Sequence, residues 1–327
     1  MWLNANELES AIHYGGHEQN YNRYPDFLPH DVASAYQRYC QVTTPVMAVR
    51  GADEAIDLLI RTFCQPGKDK IVVCSPTYAM YEFCADALAI ETLHVPLMGD
   101  DFALDTHGVI TAAKDANVVF LCSPNNPTGN PLATDAIIEV LEGTRHDALV
   151  VVDEAYIEFE LDQSVASLIA TYPNLVVIRT LSKAFGLAAV RCGFILADAS
   201  VMEYVAKLIP PYPMPDSSAT IVLEALSEAG LNQVRHMTQQ LIETRQWFIG
   251  ELQTLDFIHK IYPSSTNFVL LRAHPNDDLF AYLLQHGIVT RNQSHDPALR
   301  DCVRITIGCR TSMQEVVDVL RRYPSQS

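Results

Sequence analysis

Lys183 lies in the stretch LVVIRTLSKAFGLAAVRCG (residues 175–193), directly after a short β-branched run and inside a cluster of hydroxyl side chains. Lysine is rarely buried without a partner or a task, so an ammonium at the mouth of an apolar strand needs a reason. Desolvation lowers an amine's pKa, and a neutral amine condenses with an aldehyde to a Schiff base. Thr180 and Ser182 are placed to donate hydroxyls to a phosphate, and Arg191, eight residues beyond Lys183, offers a guanidinium to the same anion. The alternative is a lysine that snorkels out from a strand end.

Four further groupings have chemistry to offer. Asp153 ends the apolar run of VVVDEAY (150–156), where a protonated pyridine nitrogen would be a fitting partner for a buried carboxylate; the alternative is a strand-end cap of the next turn. CSPNNPTG (122–129) is a turn stiffened by two prolines and a glycine, from which an asparagine amide can donate to a ring oxygen. In RGADE (50–54), Gly51 permits close backbone approach and the free amides of a helix N-terminus can hold a phosphate, although Asp53 and Glu54 also suit a first helical turn by themselves. Tyr78, in SPTYAMYEF, offers either a stacking face for a heteroaromatic ring or a half-buried core ring. Late in the chain, Arg291 and Arg304 (in CVRITIG) stand beside or within apolar strand-like runs, which suits oxyanion binding or a structural ion pair. His13 and His17 have the spacing of a helical metal pair, but Gly15 and Gly16 between them argue against a helix, and no metal is expected.

These side chains need strands to carry them. Apolar runs at 70–74, 117–122, 148–153, 175–179 and 193–197 alternate with helical patterns, the signature of a mainly parallel sheet. Ile56, Leu59, Ile60 and Phe63 make residues 53–64 an amphipathic helix. The proline-rich IPPYPMP (209–215) is the best domain boundary. Beyond it come helical patterns at 217–229 and 233–255, strands at 267–272 and 302–307, and a closing helix from about Ser312. With 327 residues, 49% hydrophobic and 19% charged, the chain has room for a large α/β unit and a smaller companion. A net charge of −17 argues against nucleic-acid or anionic-membrane partners. Eight scattered cysteines without a CxxC pair, and an opening MWLNANELES, suggest a reducing, cytoplasmic setting.

In their order and context, RGADE, SPTY, CSPNNPTG, VVDEAYIEF, RTLSKAFGLAAVRCG and VRITIG closely resemble the motif series of the fold-type I pyridoxal-phosphate aminotransferases, and most narrowly the branch that acts on histidinol phosphate. The resemblance runs from LNANE at Leu3 to the C-terminus. It implies a large domain (26–212) with a seven-stranded, mainly parallel sheet sandwiched by helices, and a smaller α/β C-terminal domain (213–327). It further implies that Lys183 is the Schiff-base lysine and proton shuttle, that Asp153 pairs with the pyridine nitrogen, and that Asn126 and Tyr156 bond the ring's phenolate oxygen. Tyr78 would stack on the ring. Ala52 and Asp53 through their backbone, with Ser182, Arg191 and Thr180, would hold the cofactor phosphate. Arg304 would take the substrate's carboxylate or phosphate, with Arg291 assisting on phosphate.

By the same resemblance Tyr24, in NRYP (22–25), reaches the cofactor phosphate of a neighbouring subunit, which implies a homodimer. Relatives carry an arm ahead of LNANE, so residues 1–25 are expected to act as a shortened N-terminal segment with dimer contacts. The implied reaction is reversible amino transfer between L-histidinol phosphate plus 2-oxoglutarate and imidazole-acetol phosphate plus L-glutamate. The rivals on the same fold are an aromatic-amino-acid aminotransferase, a threonine-phosphate decarboxylase and, from another class, a cofactor-binding regulator.

Overall fold

The structure, a computed structural model, describes residues 22–275 and 278–324; LNANE, His13 and His17 lie outside them. Among these residues one sheet has seven strands, β1 (Val46–Val49), β2 (Lys70–Val73), β3 (Glu91–His94), β4 (Val118–Cys122), β5 (Leu149–Asp153), β6 (Leu175–Thr180) and β7 (Gly193–Ala197), in the order β1-β7-β6-β5-β4-β2-β3. Strands β3, β2, β4, β5 and β6 run parallel, and β7 is antiparallel to both β6 and β1. The sheet is therefore mainly parallel, as expected, and its central strands are buried on both faces.

That two-sided burial explains why the central strands read as continuous apolar runs instead of alternating ones. Along β5 and β6, Val150, Val152, Leu175 and Val177 join a core with Ile137 and Leu141 of α5 (Thr134–Gly143). Val151, Val176 and Ile178 face the other way, onto Ile56 and Leu59 of α2 (Ala52–Phe63) and Tyr81 of α3 (Met80–Ala87). Each such side chain contributes about 1.5–3 kcal/mol by leaving water. Neither outer strand was among those expected from the sequence: β3 reads ETLH, with Glu91 and His94 exposed, and so lacks the apolar run that marks a covered strand, whereas β1 is apolar and mostly buried but only four residues long, VMAV.

A second, antiparallel sheet holds β8 (Ile258–Ile261), β9 (Phe268–Ala273), β10 (Arg291–Asn292) and β11 (Cys302–Thr306), in the order β10-β11-β9-β8. The residues before Arg291 are not a strand, and Val289 is 82% exposed. The helical patterns at 217–229 and 233–255 become α7 (Asp216–Ala225) and α8 (Glu228–Leu252), and α8 starts earlier because the Ser227 side chain accepts the Gly230 N–H at its N-terminus. Leu231 and Val234 of α8 pack on the large-sheet core, whereas Phe248 and Leu252 belong to the core of the second sheet, with Val269, Val303 and Leu320. One helix thus spans both cores.

The ends of β5 and β6 are tied by a buried ion pair. Arg179 Nε donates to Glu154 Oε2 at 2.6 Å, Arg179 also donates to Ser164 Oγ at 2.8 Å, and Glu158 lies 3.8 Å from the same guanidinium. Burial raises the Glu158 carboxyl to about 7 against the pull of Arg179. Removing the guanidinium strands two buried carboxyls. Arg179→Leu is expected to lower stability by about 3–5 kcal/mol, read from the midpoint of urea unfolding; a loss under about 1 kcal/mol contradicts this account.

Candidate active site

The parallel strands β4, β5 and β6 all end at one edge, so the loops that follow them meet over a cavity of about 150 Å³. The β4 loop delivers Asn126, β5 ends on Asp153 with Tyr156 beyond it, and β6 ends on Thr180, followed by Ser182 and Lys183; all six line the cavity. Ala52 and Asp53 from the start of α2, together with Tyr78 and Arg191, line the same space. Two expected site residues lie on the second sheet. Arg304 on β11 donates to the Asn126 amide oxygen and packs 5.1 Å from the Phe268 ring, so it reaches the cavity wall from the other unit. Arg291 is exposed on β10, directly opposite Arg304 in the ladder. Tyr24 lies apart from the cavity of its own chain, 57% exposed and stacked on Tyr212 at 4.6 Å.

At one end of the cavity the backbone forms an anion cradle. Helix α2 opens at Gly51 with no capping side chain, so its first amides are left for another acceptor. Arg191 adopts φ +57°, an unusual backbone for a side-chain-bearing residue, and its guanidinium donates to the Arg50 carbonyl at 3.3 Å and lies 3.7 Å from Asp53 Oδ2. A Cβ on Gly51 would stand 2.7 Å from that guanidinium, and one on Gly193 would stand 2.6 Å from the Gly51 carbonyl carbon. Glycine at 193 lets β7 lie against the start of the helix, and glycine at 51, with φ +91°, leaves room for the guanidinium beside it. Thr180 accepts the Ser182 N–H at 3.2 Å, and its hydroxyl lies 3.0 Å from Ser182 Oγ, which fixes the hydroxyl pair beside the cradle.

At the other end sits Asp153, 2% exposed. Its Oδ1 accepts the Ala155 N–H at 3.0 Å and its Oδ2 accepts the Tyr81 hydroxyl at 2.7 Å. Burial raises its carboxyl to about 6, against the pull of Tyr81 and the Ala155 amide. Lys183 Nζ lies 5.4 Å from the Tyr156 ring centre, and burial followed by the charge of Arg304 lowers its pKa, against the pull of Asp153 and Asp53. Tyr78 donates to Asp53 Oδ1 at 3.0 Å, and burial raises the Tyr78 and Tyr156 phenols, which remain protonated donors. The arrangement offers an amine that deprotonates readily, a buried carboxylate suited to a cationic ring atom, and an anion cradle at the far end. An aldehyde-bearing pyridine phosphate matches all three.

Two participants went unrecognised in the sequence. Tyr81 stands in the SPTYAMYEF string, three residues after Tyr78, but nothing in the string names its partner Asp153. Cys122 lines the cavity floor as the last residue of β4. Among the described residues no group of three His, Cys, Asp or Glu side chains could hold a metal ion.

The chain belongs to the aminotransferase class I and II family, which it matches over residues 4–322, and it is an enzyme of the transaminase class. Among its relatives, the histidinol-phosphate aminotransferase of Salmonella typhi is 42% identical over 325 residues, covering 99% of this chain and 90% of that protein. The crystal structure of the histidinol-phosphate aminotransferase from Clostridium acetobutylicum superposes with a TM-score of 0.84 at 25% identity, covering 91% of this chain and 90% of that one. The Sinorhizobium meliloti histidinol-phosphate aminotransferase, solved in complex with pyridoxal-5'-phosphate, shares the fold with a TM-score of 0.82 at 24% identity, over 92% of this chain and 84% of its own.

Two stability measurements test this geometry. Gly193→Ala forces the start of α2 away from β7 and is expected to cost about 1–3 kcal/mol in chemical unfolding; an unchanged midpoint contradicts the close contact. The Asp153 proton is held more tightly in the folded chain than in the unfolded one, since the folded pKa is about 6 against an ordinary 3.8. The charged carboxylate therefore lowers stability progressively as pH rises from about 4 to about 6, and fully so above that. Cofactor-free Asp153→Asn is expected to be more stable than the parent at pH 7.5 by on the order of 1–3 kcal/mol, with the advantage gone below about pH 4.

Proposed function

We propose that this aminotransferase transfers the amino group reversibly between L-histidinol phosphate and 2-oxoglutarate, giving imidazole-acetol phosphate and L-glutamate in L-histidine biosynthesis, with pyridoxal phosphate as its cofactor. The observation that carries this reading is the near full-length identity to histidinol-phosphate aminotransferases, on a chain whose chemistry-bearing residues converge on one cavity.

Pyridoxal phosphate, when bound, supplies an aldehyde carbon that accepts amino groups and a protonated ring that withdraws electrons from the substrate. The residues of this chain do the rest. Arg191, Ser182 and the amides of Ala52 and Asp53 would hold its phosphate, with Thr180 bracing Ser182. Asp153 would pair with the protonated ring nitrogen, a cation that compensates a charge otherwise costly to bury. Asn126 and Tyr156 would donate to the ring oxygen, and Tyr78 would stack on the ring. The Lys183 amine deprotonates readily because burial and Arg304 disfavour its charged form, so Nζ can take the proton from the substrate Cα and return it as an acid.

Substrate recognition falls to the second sheet. Arg304 and Arg291 face each other across the β10–β11 ladder, so two like charges share one side of it and favour an oxyanion placed against them. One bidentate guanidinium accommodates the carboxylate of glutamate or, with its neighbour, the phosphate of histidinol phosphate. We place the division into a large cofactor domain and a small substrate domain within the proline-rich 209–215 stretch, between residues 212 and 213, with α7 and the first turns of α8 leaning back on the large core. The working enzyme is a homodimer in which Tyr24 of one copy serves the cavity of the other; the exposed aromatic group of Tyr24, Phe27 and Tyr212 supports this. A cytoplasmic setting accords with eight free cysteines, and among the described residues no helix is long and apolar enough to cross a membrane.

The deciding experiment mixes cofactor-loaded protein with L-histidinol phosphate, without any oxo acid, and follows the cofactor absorption, with threonine phosphate and phenylalanine as comparisons. Conversion by histidinol phosphate, reversal by 2-oxoglutarate and silence in Lys183→Ala are expected; turnover of another amine in its place overturns the substrate. Arg304→Ala is expected to reduce kcat/KM for both histidinol phosphate and glutamate by about 100-fold or more, carried mainly by KM. Loss for one substrate only contradicts a shared guanidinium.

A further inference from the structure

Tyr81 lies on α3 with no exposed surface, beneath the cavity floor and not on it. Its ring stacks on Phe120 of β4 at 4.8 Å and 9°, and meets Tyr78 edge-on at 5.7 Å. With the ring held by these two contacts, its hydroxyl reaches Asp153 Oδ2 at 2.7 Å. Burial pushes the phenol well above its ordinary range, so this hydroxyl is a donor at any working pH. The second carboxylate oxygen is held by the Ala155 amide, so each oxygen of Asp153 has one protein donor.

We propose that Tyr81 is a positioning residue for amino transfer: by donating to Asp153 Oδ2 it fixes the direction of that carboxylate and favours its charged form, so that Asp153 meets the cofactor ring as an anion. This inference rests on the reading that Asp153 pairs with the ring nitrogen. A single hydrogen bond matters here because the carboxylate is buried and its carboxyl sits at about 6, close to working pH. Without the hydroxyl the charged form loses a donor, and the protonated acid has no attraction for a protonated ring. The other titratable groups that bear on Asp153 are Cys122 from β4, Asp53 from α2, and Lys183, Tyr156 and Tyr78 around the cavity. Of these only Lys183 favours the carboxylate charge, and it works against burial, so the Tyr81 hydroxyl and the Ala155 amide are its main supports. Tyr81 also braces the Tyr78 ring, so one side chain steadies both the anion and the aromatic wall.

The test is a double-mutant cycle of Tyr81→Phe and Asp153→Asn, titrating cofactor-free protein with pyridoxal phosphate from pH 5.5 to 8.5. Phenylalanine keeps the stacking and removes only the hydroxyl. Tyr81→Phe is expected to weaken binding roughly 10- to 100-fold near pH 7 and to move the acid limb of affinity up by about one pH unit. In the Asp153→Asn background the same change is expected to have no effect. Should Tyr81→Phe lose affinity equally in both backgrounds, Tyr81 acts through packing and the proposal fails. It also fails if Tyr81→Phe leaves affinity and acid limb untouched while Asp153→Asn abolishes them. If Asp153→Asn binds like the parent, the pairing of Asp153 with the ring is itself wrong, a failure separable from that of Tyr81. Thermal unfolding of the four cofactor-free proteins checks that each is folded, and Tyr81→Leu, which also lacks a donor and adds no bulk, serves in place of Tyr81→Phe should that variant not fold.

Discussion

A charged carboxylate buried at the end of a central strand is the constraint around which this molecule is organised. Asp153 ends a strand whose preceding three residues are completely buried, and burial alone drives its carboxyl toward neutrality. Such a group persists where something cationic completes it, and the surroundings are arranged for that completion: donors on both oxygens, an amine across the cavity, and an anion cradle at the other end. The parallel strands supply the convergence, since β4, β5 and β6 release their loops at one edge. The buried Arg179–Glu154 pair, one residue from Asp153 and one from Thr180, keeps the two strand ends in register with each other.

The strands that carry the site could be read in the sequence because they are covered on both faces and so present unbroken β-branched runs. The edges could not: β3 is half exposed, and β10 is two residues long. Site residues were legible for a different reason. Lys183, Asp153 and Arg191 stand out as charges next to apolar strands, where burial has to be justified. Tyr81 was hidden because a buried tyrosine on an amphipathic helix looks like any core ring until the position of its hydroxyl is known. The cradle was legible only in part, as Gly51 suggested close approach, while the matching role of Gly193 depends on a contact between distant strands.

The two units touch where substrate specificity and chemistry have to agree. Arg304 rests on Asn126, and the Ser265 N–H donates to the Gly129 carbonyl at 2.8 Å, so the second sheet is fastened to the turn that carries a ring contact. Tyr156 meets Phe268 edge-on at 5.3 Å, adding an apolar seam to the polar one. An anion drawing Arg304 away from Asn126 would free an amide that also faces the cavity. Recognition at one wall is thereby felt at the other through a single side-chain contact.

The close approach of Gly193 to Gly51 couples the pocket to the order in which the chain can fold. The two glycines are separated by most of the large sheet in sequence, and they meet only when β1 has docked against β7 at the sheet's far edge. A nascent chain with β2 to β6 in place would already possess Asp153 and Lys183 but would lack the floor of the phosphate cradle. A ligand held in that cradle needs β1 and β7 paired, and so pulls the folding equilibrium toward the complete sheet by mass action.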